Sequence, residues 1–134
     1  MTARRDIRSE PGQAAVEFAL VLPLLLVLLL GIVQFGIAFS HYVTLTDAAR
    51  VGARKAITVR IGGTSPDDAK QAVRDAAGDL DQTDLQVNVD DSSWTTSGSQ
   101  ITVTATYPYS IDIPLLGLNV VSGTMTAKAE ERLE

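Results

Sequence analysis

FALVLPLLLVLLLGIVQFGIAF, residues 18–39, is a run of 22 residues without a formal charge, and Gln34 is its only strongly polar side chain. A hydrocarbon core about 30 Å thick is crossed by about 20 helical residues. The run therefore predicts a transmembrane helix. Pro23 lies inside it, which membrane helices tolerate with a slight kink. Gly36 and Ser40 form a small-xxx-small pair of the kind that permits close helix packing. A cleaved secretory signal is the alternative, but its apolar region spans only about 7–15 residues. Arg4, Arg5 and Arg8 precede the run, and the first base after it is Arg50. The positive-inside rule then places the N-terminus in the cytoplasm and residues 41–134 outside the membrane.

Working outward, the chain has 134 residues, a net charge of -5 and no cysteine. Thiol chemistry, thiolate metal sites and disulfide staples are excluded. With the apolar run set aside, the remaining soluble part is small, and a domain of that size buries roughly two-thirds of its surface. Between residues 64 and 91 the charges are mostly acidic: Asp67, Asp68, Asp75, Asp79, Asp81, Asp84, Asp90 and Asp91 against Lys70 and Arg74. Phosphate binding needs a basic face, so no nucleic-acid partner is expected, and the acids are most simply a solvated surface.

On the other side of the run stands Glu17. A carboxylate at the centre of a membrane helix costs about 2.5–3.5 kcal/mol, and less near the interface. In the first turn it favours the helix dipole and snorkels to the headgroups, which is one account of its presence. The wider pattern offers another. Basic residues come first, then Gly12, four uncharged residues, Glu17-Phe18 and the apolar span. This order resembles the class III, type IV prepilin-like processing site. The resemblance implies cleavage between Gly12 and Gln13 by a membrane prepilin peptidase on the cytoplasmic side, with Glu17-Phe18 as the assembly and processing motif. A Gln at the new N-terminus departs from the Phe of many type IV pilins. Cleavage would leave an ammonium at Gln13, four residues and one helical turn from Glu17. An opposite charge at that range in low dielectric makes the carboxylate tolerable in a subunit bundle.

GQAAVEFALVLPLLLVLLLGIVQFG, residues 12–36, followed by TLTDAARVGARKAI, residues 44–57, is similar to the TadE-like family, minor pseudopilins of the tight-adherence (Flp) pilus system. The resemblance rests on Glu17-Phe18-Ala19, Leu22-Pro23, Phe35-Gly36 and the stretch from Ala48 to Arg54, with the C-terminal MTAKAEERLE in support. It implies a structural pseudopilin or accessory subunit without catalysis. The implied partners are the prepilin peptidase, other pilin or pseudopilin subunits, the membrane assembly platform and the lipid bilayer.

The soluble part reads as a helix continuing from the membrane to about Ile61. Ala48, Gly52 and Ala56, with Ala49 and Ala53, recur at i, i+4 and give it one face of low bulk against which other elements can close. Arg50 and Arg54 lie on a neighbouring strip, as solvated bases or as partners for acids or lipid headgroups. Gly62-Gly63 breaks the helix. Ser65-Pro66-Asp67-Asp68 starts a second, with Ser65 as N-cap and Pro66 at its first position. Ala69, Ala72, Val73 and Ala76 form its apolar stripe, and Gly78 marks its end. The period then changes to two. Leu85, Val87 and Val89 form one strand, and Ile101, Val103, Ala105 and Tyr107 a second that ends at Tyr107-Pro108. IDIPLLGLNVV, residues 111–121, reads as an apolar loop, and a third strand runs from about Val121 to Arg132.

The expected fold is α+β: a long N-terminal transmembrane helix extending into a small domain with a second helix and a three-stranded antiparallel sheet, the lollipop outline of a pilin. The division is 1–12 as a cytoplasmic leader peptide, 13–40 as the transmembrane helix and 41–134 as the extracytoplasmic TadE-like domain. His41 is the only histidine and has no nucleophile beside it in the sequence, so no catalytic set is visible. No Walker A or GxGxxG motif is present, and no cofactor is implied. Asp79, Asp81, Thr83 and Asp90 echo a calcium loop poorly, with Asp84 at the glycine position and Asp90 where a glutamate belongs, so no metal site is expected. Trp94 and the PLLGL stretch, residues 114–118, are either core or contact points. A signal-anchored binding module never incorporated into a pilus is the alternative function.

Overall fold

A computed structural model describes residues 10–62, 65–90, 100–113 and 117–132. The basic cluster at Arg4, Arg5 and Arg8, the second glycine of the Gly62-Gly63 break, Trp94 and most of PLLGL fall outside these residues.

The first helix, α1 (Glu10–Gly62), runs unbroken for 53 residues through Pro23. At 1.5 Å per residue it is about 80 Å long, far more than one membrane thickness. Its two halves differ in what covers them. From Val16 to Phe39 most of the large apolar side chains are exposed, Leu20 at 74% and Phe35 at 66%, while Val27 and Leu30 are half-buried. From Leu45 onward one face is sealed: Leu45, Ala48, Ala49, Gly52, Ala53 and Ala56 are all buried. The small-residue face read from the sequence is thus the face that carries the head. Arg50 and Arg54 stay exposed on the adjoining strip, and Arg50 pairs with Asp47 at 3.3 Å. A solvated pair of this kind contributes little to stability.

The second helix, α2 (Pro66–Ala76), begins as its sequence requires. Ser65 is extended, and its hydroxyl accepts from the amide of Asp67 at 3.3 Å. Asp67 and Asp68 sit at the positive end and Arg74 in the last turn, all favourable to the helix dipole. Ala69, Val73 and Ala77 are buried, whereas Ala76 is exposed. The apolar stripe therefore continues to Ala77, which caps the helix by donating its amide to the carbonyl of Val73. Gly78 follows that cap as expected, but without a positive φ.

Three strands form one antiparallel sheet in the order β1-β2-β3: β1 (Gln86–Val89), β2 (Gln100–Ile113) and β3 (Leu118–Arg132). Val89 lies opposite Val103, and Ala105 opposite Ala127. Alternation puts Ile101, Val103 and Ala105 on the inner face with Ala127 and Ala129, packed on α1 and α2. Among the described residues the largest fully buried side chains are Leu45, Ile101, Val73 and Val103. The rest of the core is largely alanine, so it is thin and closely approached.

Two expectations about the strands are corrected. β2 does not stop at Tyr107-Pro108; it continues to Ile113. Pro108 lacks an amide donor, which forbids it in the middle of a sheet but not at an edge. β1 ends its pairing at Gln86 opposite Thr106, so beyond that point β2 has an open side. The segment 111–121 is likewise not a loop throughout. Residues 111–113 belong to β2, and β3 starts at Leu118 rather than Val121. The two strands pair out to Ile113 opposite Leu118, with an irregularity between Ile111 and Asp112. Gly117, at φ 61, supplies the left-handed backbone of the turn. The result is a long β2–β3 hairpin reaching past the core.

Candidate assembly and processing segment

Gly12, Gln13, Glu17 and Phe18 all lie in the first turns of α1. The residues are exposed, and nothing stands within 4 Å of a Cβ built on Gly12. The peptide after Gly12 lies in the first turn of α1, next to the leading amides that have no intrahelical acceptors. Gln13 and Glu17 are four apart and therefore neighbours on one helix face. Phe18 projects beside them at 62% exposure. The four expected site residues are thus brought to one end of the helix, far from the head.

At the other end of the apolar run the helix meets the hairpin. Val27, Leu30, Gln34, Ala38 and His41 are half-buried, spaced three and four apart, and continue the buried stripe of the head toward the N-terminus. The His41 and Tyr107 rings meet edge to face, with centroids 5.7 Å apart. The Tyr107 hydroxyl also accepts from the amide of Asp81 at 3.4 Å, so one side chain touches α1 and the turn before β1. Deeper along the helix, the Gln34 amide donates to the backbone carbonyl of Asp112. Gln34 Oε1 is enclosed and has no hydrogen-bond partner among the described residues. A cleft lined by Gln34, Ile37, Ala38 and His41 separates α1 from Tyr109, Ser110 and Gly123 of the hairpin. This junction was not foreseen. Its one signal in the sequence is Gln34, the lone strongly polar residue of the run.

The acidic segment after α2 includes a turn closed on Asp81. Asp81 Oδ1 accepts from the Thr83 hydroxyl at 2.7 Å and from the Thr83 amide at 2.9 Å. These two bonds hold the Asp81 carboxyl below its usual range. Asp67 is lowered too, chiefly by the hydrogen bond and charge of Lys70 at 2.9 Å, with a smaller contribution from Ser65. Among the described residues no cluster of three or more His, Asp or Glu side chains is set to hold a metal ion.

A single long helix near the N-terminus, apolar enough to cross a membrane and carrying a small α+β head, has the build of a single-anchor membrane protein. Residues 12–54 match the family model described as TadE-like protein, the family that the sequence resembles. The matched region runs from Gly12 through the apolar helix to the small-residue face that holds the head. Comparisons with curated proteins and with solved structures gave no match.

Proposed function

We propose that the protein is a structural pseudopilin or accessory subunit for assembly of a tight-adherence (Flp) pilus. In this reading α1 anchors the chain as a single pass, with its N-terminus in the cytoplasm and residues 41–134 outside. A prepilin peptidase removes residues 1–12 by cutting between Gly12 and Gln13. The new ammonium at Gln13 then lies one turn from Glu17 and neutralises it, in the same chain or in a neighbouring subunit. A neutralised carboxylate can enter a bundle of apolar helices, where an unpaired one is resisted. The subunit carries out no catalysis of its own; it acts by insertion, trimming and helix-driven assembly with other pilin subunits and the membrane platform.

The observation that carries this reading is that the TadE-like match begins at Gly12, the residue before the expected cut, and continues through Glu17-Phe18 into the apolar helix. The test is the mature N-terminus. Mass spectrometry of protein extracted from membranes should find a chain beginning at Gln13. Replacing Gly12 with leucine should leave the leader in place and keep the protein out of the pilus. A wild-type chain that retains residues 1–12 contradicts the reading. Pilus formation that proceeds unaffected by Gly12→Leu supports instead a signal-anchored binding module outside the pilus.

A further inference from the structure

The hairpin overlaps the apolar run in a way that a simple anchor and a separate head do not require. Gln34 lies five residues inside Phe39, the last apolar residue of the run, yet it holds the carbonyl of Asp112. At 1.5 Å per residue that contact is about 7 Å below the end of the run. The hairpin continues beyond Asp112 to the Ile113–Leu118 pair and Gly117. The outward positions stay polar along it, with Thr102, Thr104, Ser110, Ser122, Thr126 and Lys128. The inner face, which carries Ile101 and Val103 in the core, carries Ile111 and its β3 partner Val121 toward the end, where Ile111 is half-buried and Val121 is still 42% exposed. No lysine or arginine occurs from Ile101 to Ala127, so attraction to anionic headgroups is not what this end offers.

We propose that the end of the β2–β3 hairpin, at Ile111 and Val121, is a second membrane-contacting element, resting in the outer headgroup and acyl boundary beside α1. The inference rests on the reading of α1 as the membrane anchor. A lipid surface is the occupant because the hairpin end is continuous with the apolar face of α1 and lies at its depth. The hydrocarbon itself is excluded: a two-stranded ribbon has open edges, and its unpaired amides and carbonyls need water or headgroups. The outer edge of the hydrocarbon is therefore set near Gln34 rather than Phe39. Counting back about 20 residues puts the inner edge near Ala14. Glu17 is then drawn roughly 4–5 Å inside that edge instead of lying in the headgroups. Seating the hairpin thus deepens the carboxylate whose pairing the assembly mechanism uses.

The absence of cysteine makes the test clean, because one introduced cysteine carries one label. Full-length chains bearing Val121→Cys, Leu28→Cys or Thr126→Cys are spin-labelled and reconstituted into vesicles of phosphatidylethanolamine and phosphatidylglycerol at high lipid ratio. Collision with oxygen, which partitions into lipid, is compared with collision with a water-soluble nickel chelate. The label at 28 should be oxygen-accessible and chelate-protected. The label at 126 should be chelate-accessible. The label at 121 should fall between them, at headgroup depth, and stay there at high salt. A label at 121 as chelate-accessible as that at 126, with 28 protected, overturns the hairpin proposal and leaves the anchor standing. Chelate access at 28 overturns the anchor itself. Protection of 121 from both probes means that protein covers it, which also overturns the lipid contact. Because Val121 is partly exposed, its label is accommodated; a second label replacing Ser122, also exposed, must report the same depth.

Discussion

Gly52 is where three elements close on one another. A Cβ placed there would stand 2.2 Å from Val73 Cγ2 of α2 and 3.4 Å from Val103 Cγ1 of β2. Val73 is fully buried and β-branched, so it has neither room nor an easy rotamer to give way. Gly52→Ala should therefore destabilise the head by about 1–3 kcal/mol, the usual cost of overpacking, despite the gain in helix propensity. Denaturant unfolding of the full chain in detergent, followed by circular dichroism, measures it. Val73→Ala in the same chain should recover part of the loss, and Gly36→Ala, with nothing within 4 Å of its Cβ, should be close to neutral. An undiminished stability for Gly52→Ala would mean that α2 does not press on α1 as described. The low-bulk face of Ala48, Gly52 and Ala56 was legible from its i, i+4 spacing. The side chain it meets was not, because that depends on how α2 docks after the break at Gly62, and no local pattern encodes the docking.

Elements read well where their own residues settle the matter. The cap at Ser65, the proline at the first position of α2 and the period of two in β1 and β2 all operate locally, and the structure shows each of them. The strand ends read poorly because they depend on partners. Pro108 is a stop signal in a central strand, and it became an interior residue of β2 only because β1 is too short to pair with that stretch. The apolar segment 111–121 resembled a loop because its polar alternation lapses, which reflects its surroundings rather than its backbone. The turn between α2 and β1 has its own signature in Asp81. Its lowered pKa comes from the Thr83 hydroxyl first and the Thr83 amide second. A lowered carboxyl stabilises the fold above its unfolded pKa, and that contribution is lost as pH falls through the folded value. Head stability should thus decline on the acid side of about pH 4. Asp81→Asn, which keeps an acceptor oxygen but cannot titrate, should show a shallower decline in unfolding midpoint over that range. An identical acid slope in both proteins would mean that the Thr83 bonds do not persist in solution.

For the whole molecule, the division into an exposed apolar half and a covered half of one helix was visible in the sequence, as was the TadE-like pattern on which the match at residues 12–54 falls. What the sequence did not disclose is how far the head reaches back along the anchor, since a contact such as Gln34 with Asp112 joins residues 78 apart. In the account proposed, that reach and the charge at Glu17 act together: the helix is held deep, and its carboxylate requires the ammonium that trimming supplies. The most direct test is Glu17→Gln in cells that express no other copy, followed by affinity purification of the major pilin and quantification of the trimmed protein that accompanies it. The account predicts that the leader is still removed and that co-purification falls steeply. Trimmed Glu17→Gln protein recovered with the pilin at the wild-type level would contradict it.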